Sequence, residues 1–135
     1  MKTSSDPRHQ SRIQNLKQLF SYSFQPQQKL TEIQTIIDHL EIIDQLLQQA
    51  APEWPLDKIN KIDLAILRLA VYEILYQPEI PFKVSIDEAV ELAKEFGSES
   101  SPAFVNGVLG TIVRHQEKSK SDKEVSDHGS NNKSN

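Results

Sequence analysis

The chain has 135 residues with a hydrophobic fraction of 37%, which is enough for a single domain with one core. It contains no cysteine, so disulfide frameworks, thiolate metal sites and cysteine nucleophiles are excluded. Its apolar runs are too short to cross a membrane, and its N-terminal residues lack the apolar segment of a signal peptide. We therefore expect a protein of the cytoplasm.

The net charge of −4 is unevenly distributed along the chain. Residues 1–29 carry five basic and one acidic side chain, a net charge of +4. Residues 30–116 carry six basic and fourteen acidic side chains, a net charge of −8. A basic segment before an acidic body is typical of a protein that meets a polyanion at one end. A solvated helix face with incidental basic residues is the alternative that charge alone leaves open.

Apolar residues recur at helical spacing in every long segment, which predicts a compact all-α bundle of about five helices. The first predicted helix covers residues 8–24, with Asp6 as its N-cap and Pro7 at its first position. The second covers residues 31–51 and is stopped by the sequence Pro-Glu-Trp-Pro. The third, at residues 57–76, is apolar around most of its circumference, which predicts that it is the central helix.

The last two predicted helices have polar residues at their ends. Ser85 and Glu88 have the spacing of a capping box at the start of the fourth helix, and Gly97 is expected to form a left-handed C-cap at its end. The fifth helix opens at Ser101, which a proline follows. Residues 117–135 contain one isolated valine among polar residues, which predicts a disordered tail. The predicted organisation is a flexible N-terminus at residues 1–6, one helical domain at residues 7–116, and this tail.

The sequence lacks the residue patterns that catalysis or cofactor binding requires. Its four histidines have no second ligand at metal-binding spacing, so each of them, including His9, is expected at the surface. Its four glycines form no phosphate-binding loop. Asp87, Glu88, Glu91 and Glu95 share one predicted helix, and a solvated outer face is favoured for them over a metal or acid–base site. We therefore expect no enzyme activity, no metal and no cofactor.

Three basic residues and one aromatic residue are candidates for nucleic-acid binding. Arg8 and Arg12 lie one helical turn apart in the first predicted helix, with Lys17 further along, and such a row can neutralise phosphates. Phe104 lies in the first turn of its helix, where it can either complete the core or stack on an unpaired base. Trp54 is assigned to the core, and an exposed anchor for a partner is its alternative.

Three long blocks of the sequence resemble signature segments of the NusB family. They are IDLAILRLAVYE at residues 62–73, IPFKVSIDEAVELAK at residues 80–94 and FVNGVL at residues 104–109. The blocks occur in the family's order and spacing, and with the first helix they cover well over half of the chain. The resemblance implies an all-helical bundle of two subdomains that acts as a bacterial transcription antitermination factor.

The resemblance also implies the partners of the chain. NusB-like factors pair with NusE, a small-subunit ribosomal protein. The pair binds the single-stranded boxA element of nascent RNA, mainly in ribosomal RNA operons, and helps RNA polymerase to resist termination. By resemblance, this chain has boxA RNA, NusE and the RNA polymerase antitermination complex as partners, and it catalyses no reaction.

The resemblance assigns residues to the RNA site. Phe104 matches the family's RNA-stacking phenylalanine, and Asn106 follows it in the same block. Arg8 and Arg12 match the outer positions of an arginine-rich motif at the N-terminus. Residues 9–11 hold His, Gln and Ser where further arginines are usual, and this departure implies weaker RNA binding by the isolated chain.

Two further residues are assigned to the NusE side by the same resemblance. Phe20 matches an aromatic position of the first helix, and Asp63 matches an acidic position that faces NusE. The alternative for Asp63 is an acid that favours the start of a helix. Residues 25–58 are fewer than the family leads us to expect, with one helix in place of a pair, so the N-terminal half is expected to pack differently.

Two other functions stay open. A NusB-like bundle also forms the N-terminal RNA-binding domain of ribosomal RNA cytosine methyltransferases. Those enzymes need an α/β domain with a cysteine nucleophile and a glycine-rich cofactor loop, and these 135 residues contain neither. The second alternative is a divergent helical scaffold that binds proteins and has lost RNA binding.

Overall fold

The computed structural model describes the backbone of residues 6–133 and the side chains of residues 6–119, and this part of the chain is a bundle of α-helices. The helices are α1 (Pro7–Phe24), α2 (Gln34–Asp38), α3 (Leu40–Ala50), α4 (Lys61–Tyr76), α5 (Phe82–Phe96) and α6 (Ser101–Lys133). Single turns of 3-10 helix at Thr31–Ile33 and Leu56–Lys58 precede α2 and α4. The predicted all-α fold is confirmed. No helix of the described residues combines the length and apolar composition needed to span a membrane.

Helix α4 lies at the centre of the bundle and packs against α1, α3, α5 and α6. Its apolar residues are buried on every side of the helix, as a helix with neighbours all round requires. They are Leu64, Ala65, Ile66, Leu67, Leu69, Ala70, Val71 and Ile74. The central position predicted for this segment is confirmed.

The start of α1 is fixed by its own sequence. The Asp6 carboxylate accepts a hydrogen bond from the Arg8 backbone N–H at 2.9 Å, and Pro7 occupies the first helical position. The predicted N-cap is therefore confirmed. The other end of α1 lies beside the start of α4, since the Lys61 ammonium is 5.6 Å from the centroid of the Phe24 ring. Helices α1 and α4 thus run in opposite directions.

The single helix predicted for residues 31–51 is divided at His39. The His39 imidazole Nδ1 donates to the Thr35 carbonyl oxygen at 2.7 Å, and the His39 backbone N–H bonds the Ile36 carbonyl instead. The ring also packs 4.1 Å, centroid to centroid, from Tyr76 of α4. The side chain of His39 therefore replaces one link of the helical ladder, and His39 itself leaves the helical conformation, with φ −110° and ψ 8°.

Two predicted features at the ends of α5 are wrong. The helix begins at Phe82, so Ser85 and Glu88 lie within it and form no capping box; both side chains are buried. Gly97 has φ −92°, which is not a left-handed conformation. A glycine is needed there because a Cβ would lie 2.5 Å from the Ser101 hydroxyl oxygen. That hydroxyl accepts the Ser98 backbone N–H and closes the turn into α6.

The helical backbone of α6 extends to Lys133, into the segment 117–135 for which a disordered tail is predicted. The side chains of residues 117–119 are exposed, and the side chains from residue 120 onward lie outside the described part of the chain. The tail is therefore described mainly by its backbone. Its disorder stays a prediction, as does the flexibility of residues 1–6, of which only Asp6 is described.

Candidate functional site

Arg8 and Arg12 lie one turn apart on α1 but have opposite environments. The Arg8 side chain is 86% exposed, and its Nε lies 3.7 Å from the Asp6 carboxylate. Arg12 is 8% exposed. Of the two, Arg8 is open to a ligand in solution.

The guanidinium of Arg12 is held by two buried glutamates. Its Nε and Nη2 donate to the two carboxylate oxygens of Glu73 on α4, at 2.9 and 3.0 Å, and its Nη1 donates to Glu88 on α5 at 3.0 Å. The Ser85 hydroxyl also donates to Glu73, at 3.1 Å. The expectation that Arg12 belongs to an exposed basic row is wrong, because these carboxylates occupy its donors. Arg12 fastens α1 to α4 and α5.

His9 extends this network and is buried, which corrects its expected place at the surface. Its Nδ1 lies 3.3 Å from Glu88 and its Nε2 lies 2.9 Å from Glu95, both carboxylate oxygens. Ionised carboxylates only accept, so the form of His9 that donates to both of them is the imidazolium, in which both ring nitrogens carry a proton. Burial lowers the pKa of His9, but the hydrogen bonds and charges of Glu95 and Glu88 outweigh it and raise the pKa above its ordinary value of 6.5.

The acidic residues of α5 are divided between the core and the solvent. Glu88 is fully buried, so the expected solvated face is wrong for this residue. Asp87 pairs with Lys83 at 3.0 Å and Glu91 with Lys94 at 3.5 Å, both at the surface. Among the described residues, no group of three or more histidine, aspartate or glutamate side chains is arranged to hold a metal ion.

Lys17 is exposed but does not continue a row with Arg8. Nine residues are about two and a half turns of an α-helix, so the two side chains leave α1 on opposite sides. Asn106 is likewise separated from Phe104, because two residues correspond to about 200° around the helix axis. Asn106 is exposed and lines a groove between α5 and α6. The structure therefore does not gather the predicted RNA residues into one patch.

Phe104 and Trp54 form an aromatic pair where α6 begins. Phe104 is half-buried, and Trp54, in the turn after α3, is 48% exposed. The ring centroids are 6.0 Å apart and the ring planes meet at 74°. The expectation that Trp54 fills the core is wrong, because apolar residues of the shortened region already do so. These are Ile33, Ile36, Leu40, Ile43 and Leu47.

A second aromatic pair lies at the C-terminal end of α1. Phe20 is half-buried and contacts Phe24 edge to face, with 5.0 Å between the centroids, and Phe24 is 57% exposed. Asp63 lies nearby in the first turn of α4 and is 6% exposed. Its Oδ1 has no hydrogen-bond partner among the described residues. Phe20 and Asp63, both assigned to the partner side, are thus brought to the same end of the α1–α4 pair.

Sequence reasoning missed the buried network and the exposed tryptophan, although one signal was present. The buried residues of α1 fall at positions 9, 12, 16 and 19, which is the spacing of a single helix face. His9 and Arg12 therefore continue the stripe of Leu16 and Leu19. Polar residues on an apolar stripe indicate buried groups with partners. No comparable signal marks Trp54 as exposed.

The chain is similar to proteins of known family. A family model described as the NusB family matches residues 28–114. The Transcription antitermination protein NusB of Alkaliphilus oremlandii (strain OhILAs) is 46% identical over 101 residues, which are 73% of this chain and 73% of the relative. Other curated relatives of that name are matched over 54% to 66% of their own lengths.

Solved structures give the same result for the fold. T. maritima NusB is 35% identical, with a TM-score of 0.74 over 84% of this chain and 93% of that one. A crystal structure of antitermination factors NusB and NusE in complex with dsRNA is 20% identical, with a TM-score of 0.69 over 80% of this chain and 96% of that one. At that identity the second likeness shows the fold alone. From the family model, the curated relatives and the fold together, the chain belongs to the NusB family.

Proposed function

We propose that this protein is a transcription antitermination factor of the bacterial cytoplasm. It binds boxA-type single-stranded RNA together with NusE in the antitermination complex of RNA polymerase, supports ribosomal RNA operon transcription, and catalyses no reaction. Its family supports this proposal, since the curated relatives carry the name of transcription antitermination protein. A solved structure of the same fold contains NusB and NusE in complex with dsRNA.

The observation that carries the RNA part is the position of Phe104. Its ring is half-buried, so it is anchored in the bundle and still reaches the surface in the first turn of α6. An anchored aromatic ring at the surface is a platform on which an unpaired base can stack. The N-terminal end of α6 also favours nearby phosphates, because the positive end of the helix dipole lies there.

Arg8 supplies a phosphate contact from the start of α1. His9 is bonded to Glu95 in the last turn of α5, and α6 begins a few residues after that turn, so the starts of α1 and α6 lie next to the same turn. In this proposal Arg12 acts indirectly, because it holds α1 in place. Lys17 and Asn106 remain assigned to RNA as separate, outlying contacts.

The NusE part of the proposal uses the opposite end of α1. Phe20 and Phe24 present an aromatic surface, and such residues are enriched where proteins bind one another. Among the described residues the buried Asp63 Oδ1 has no hydrogen-bond partner, so its desolvation cost is not offset there. A donor from a basic ribosomal protein would recover that cost, which makes Asp63 a point of recognition.

The experiment is a titration of labelled boxA-like RNA with the full chain, with and without NusE, against a scrambled RNA of equal length. We expect the chain with NusE to bind the boxA-like RNA more tightly than the scrambled one. Equal affinity for both RNAs would overturn boxA recognition. Absence of binding to either RNA, with NusE present, would overturn the RNA part and leave a protein scaffold.

The NusE contact is tested by calorimetry with Asp63→Asn. This change keeps the size of the side chain but removes its charge, and we expect about ten-fold weaker NusE binding, since hydrogen bonds to charged groups contribute about 1.5–3 kcal/mol. Asp57→Asn, in the preceding exposed turn, is the matched control and should bind as the wild type does. Unchanged affinity of Asp63→Asn would remove Asp63 from the interface.

A further inference from the structure

We propose that Trp54 is a second base-stacking residue, which takes the nucleotide next to the one that stacks on Phe104. This inference rests on the proposed function, because it names a further part of the same RNA site.

The turn fixes the backbone that carries the indole before any ligand arrives. Two prolines, Pro52 and Pro55, flank Trp54 and restrict the backbone. The Trp54 backbone N–H donates to the Ala51 carbonyl at 3.0 Å, and the Trp54 carbonyl accepts from the Gln48 side chain at 2.9 Å. Gln48 also accepts the backbone N–H of the residue after Pro55, at 3.2 Å. A backbone that is already ordered loses little entropy on binding, so this turn is prepared for a partner.

The ring is both supported and open. Phe104 packs against it edge to face, and the remaining surface leaves Trp54 48% exposed. The ring planes meet at 74°, so one flat base cannot stack on both rings. Two adjacent nucleotides can do so, one on each ring. The geometry therefore fits a single strand whose consecutive bases are unstacked, rather than a duplex.

The charges around the turn favour stacking over phosphate binding. Glu53, Asp57 and Lys58 are exposed beside Trp54 and sum to −1. Such a turn attracts no excess of phosphates, whereas the neutral face of an indole stacks on any base. The contribution of Trp54 to RNA affinity should therefore be independent of salt, which separates it from the contribution of Arg8.

The test uses the fact that the chain has a single tryptophan. RNA is titrated into the wild-type chain in complex with NusE, and the emission of the same complex made with Trp54→Phe is subtracted. We expect RNA to quench the Trp54 emission with the midpoint of binding. Trp54→Ala should weaken binding by about 5- to 150-fold with an unchanged salt slope, as the loss of one stacked base predicts. Trp54→Phe should recover most of the affinity.

The matched control is Ile42→Ala, because Ile42 on α3 is 50% exposed and aliphatic; its RNA affinity should equal that of the wild type. Binding is measured well below the unfolding temperature of each variant. RNA binding by the wild type with unchanged emission, or equal affinities of wild type and Trp54→Ala, overturns the role of Trp54 alone. The same holds if Trp54→Phe loses as much affinity as Trp54→Ala, or if NusE without RNA causes the whole change in emission. Absence of RNA binding by the wild type overturns the proposed function itself.

Discussion

The start of α1 and the start of α6 lie beside the same turn of α5, yet they use their side chains in opposite ways. In α1, Arg12 and His9 are buried against glutamates. In α6 and the turn beside it, Phe104 and Trp54 reach the surface. Arginine and histidine often bind nucleic acids, but here they hold helices together. Phenylalanine and tryptophan often fill cores, but here they are available for recognition. Environment, rather than residue type, therefore separates the stabilising region from the candidate binding region.

The largest expected effect is at Arg12. Replacing Arg12 by alanine leaves Glu73 buried without its cation and leaves His9 as the remaining cation beside Glu88. Breaking a buried ion pair in this way costs about 3–5 kcal/mol of folding stability. Urea unfolding of the Arg12→Ala chain measures this loss. Arg8→Ala is the control, because a change at an exposed site is usually within about 0.5 kcal/mol of neutral. Similar stability of the two variants would contradict the structural role of Arg12.

The second effect is at Phe104 and belongs to the other region. Phe104→Ala should weaken RNA binding by about 1–3 kcal/mol, the usual contribution of one stacked base. The folding stability should fall by less than the roughly 3–5 kcal/mol that a fully buried phenylalanine costs, since the ring is half-buried. Both quantities are measured on the same variant. A large loss of stability with intact RNA affinity, measured while the protein is folded, would return Phe104 to the core.

A smaller effect is the pH dependence that His9 gives to the buried region. Because the folded-state pKa of His9 is raised above 6.5, protonation of His9 stabilises the fold fully below about pH 6.5. This contribution is lost as the pH rises through the raised pKa. The free energy of unfolding of the wild type should therefore fall over that range relative to His9→Gln. The free energy of unfolding is measured with urea from about pH 5.5 to about pH 8.5, a range that spans the ordinary histidine pKa. Parallel plots of this free energy against pH for the two proteins would show that His9 does not make folding stability depend on pH.

The smallest effect is at Arg8, the exposed residue of α1. Arg8→Ala should weaken binding of all RNA sequences alike and lower the slope of log affinity against log salt by about one unit. Arg114→Ala removes an exposed arginine further along α6 and should leave the slope unchanged. Loss of sequence preference with an unchanged slope would show that Arg8 reads a base instead of a phosphate.

The sequence predicted most of the helices and the central position of α4, because both follow from local rules. Helical periodicity needs only neighbouring residues, and Asp6 caps α1 through a backbone group two residues away. The division at His39 was not predicted, since it depends on a ring that packs against Tyr76 of another helix. The capping box at Ser85 failed for a related reason: the Ser85 hydroxyl bonds Glu73 of α4 rather than its own helix.

For the candidate site, the sequence by itself determined which residues are present and which face of each helix is apolar. It determined that Arg12 lies on the same stripe as Leu16 and Leu19, because helix geometry fixes that spacing. Tertiary structure decided the rest. The Arg12 guanidinium is buried because Glu73, 61 residues away in the sequence, reaches it. Trp54 is exposed because Gln48 holds its turn against α3 and Phe104 covers only one side of the ring. Burial depends on which residues, distant in the sequence, hydrogen-bond to a side chain or pack against it. The local sequence does not specify those tertiary contacts.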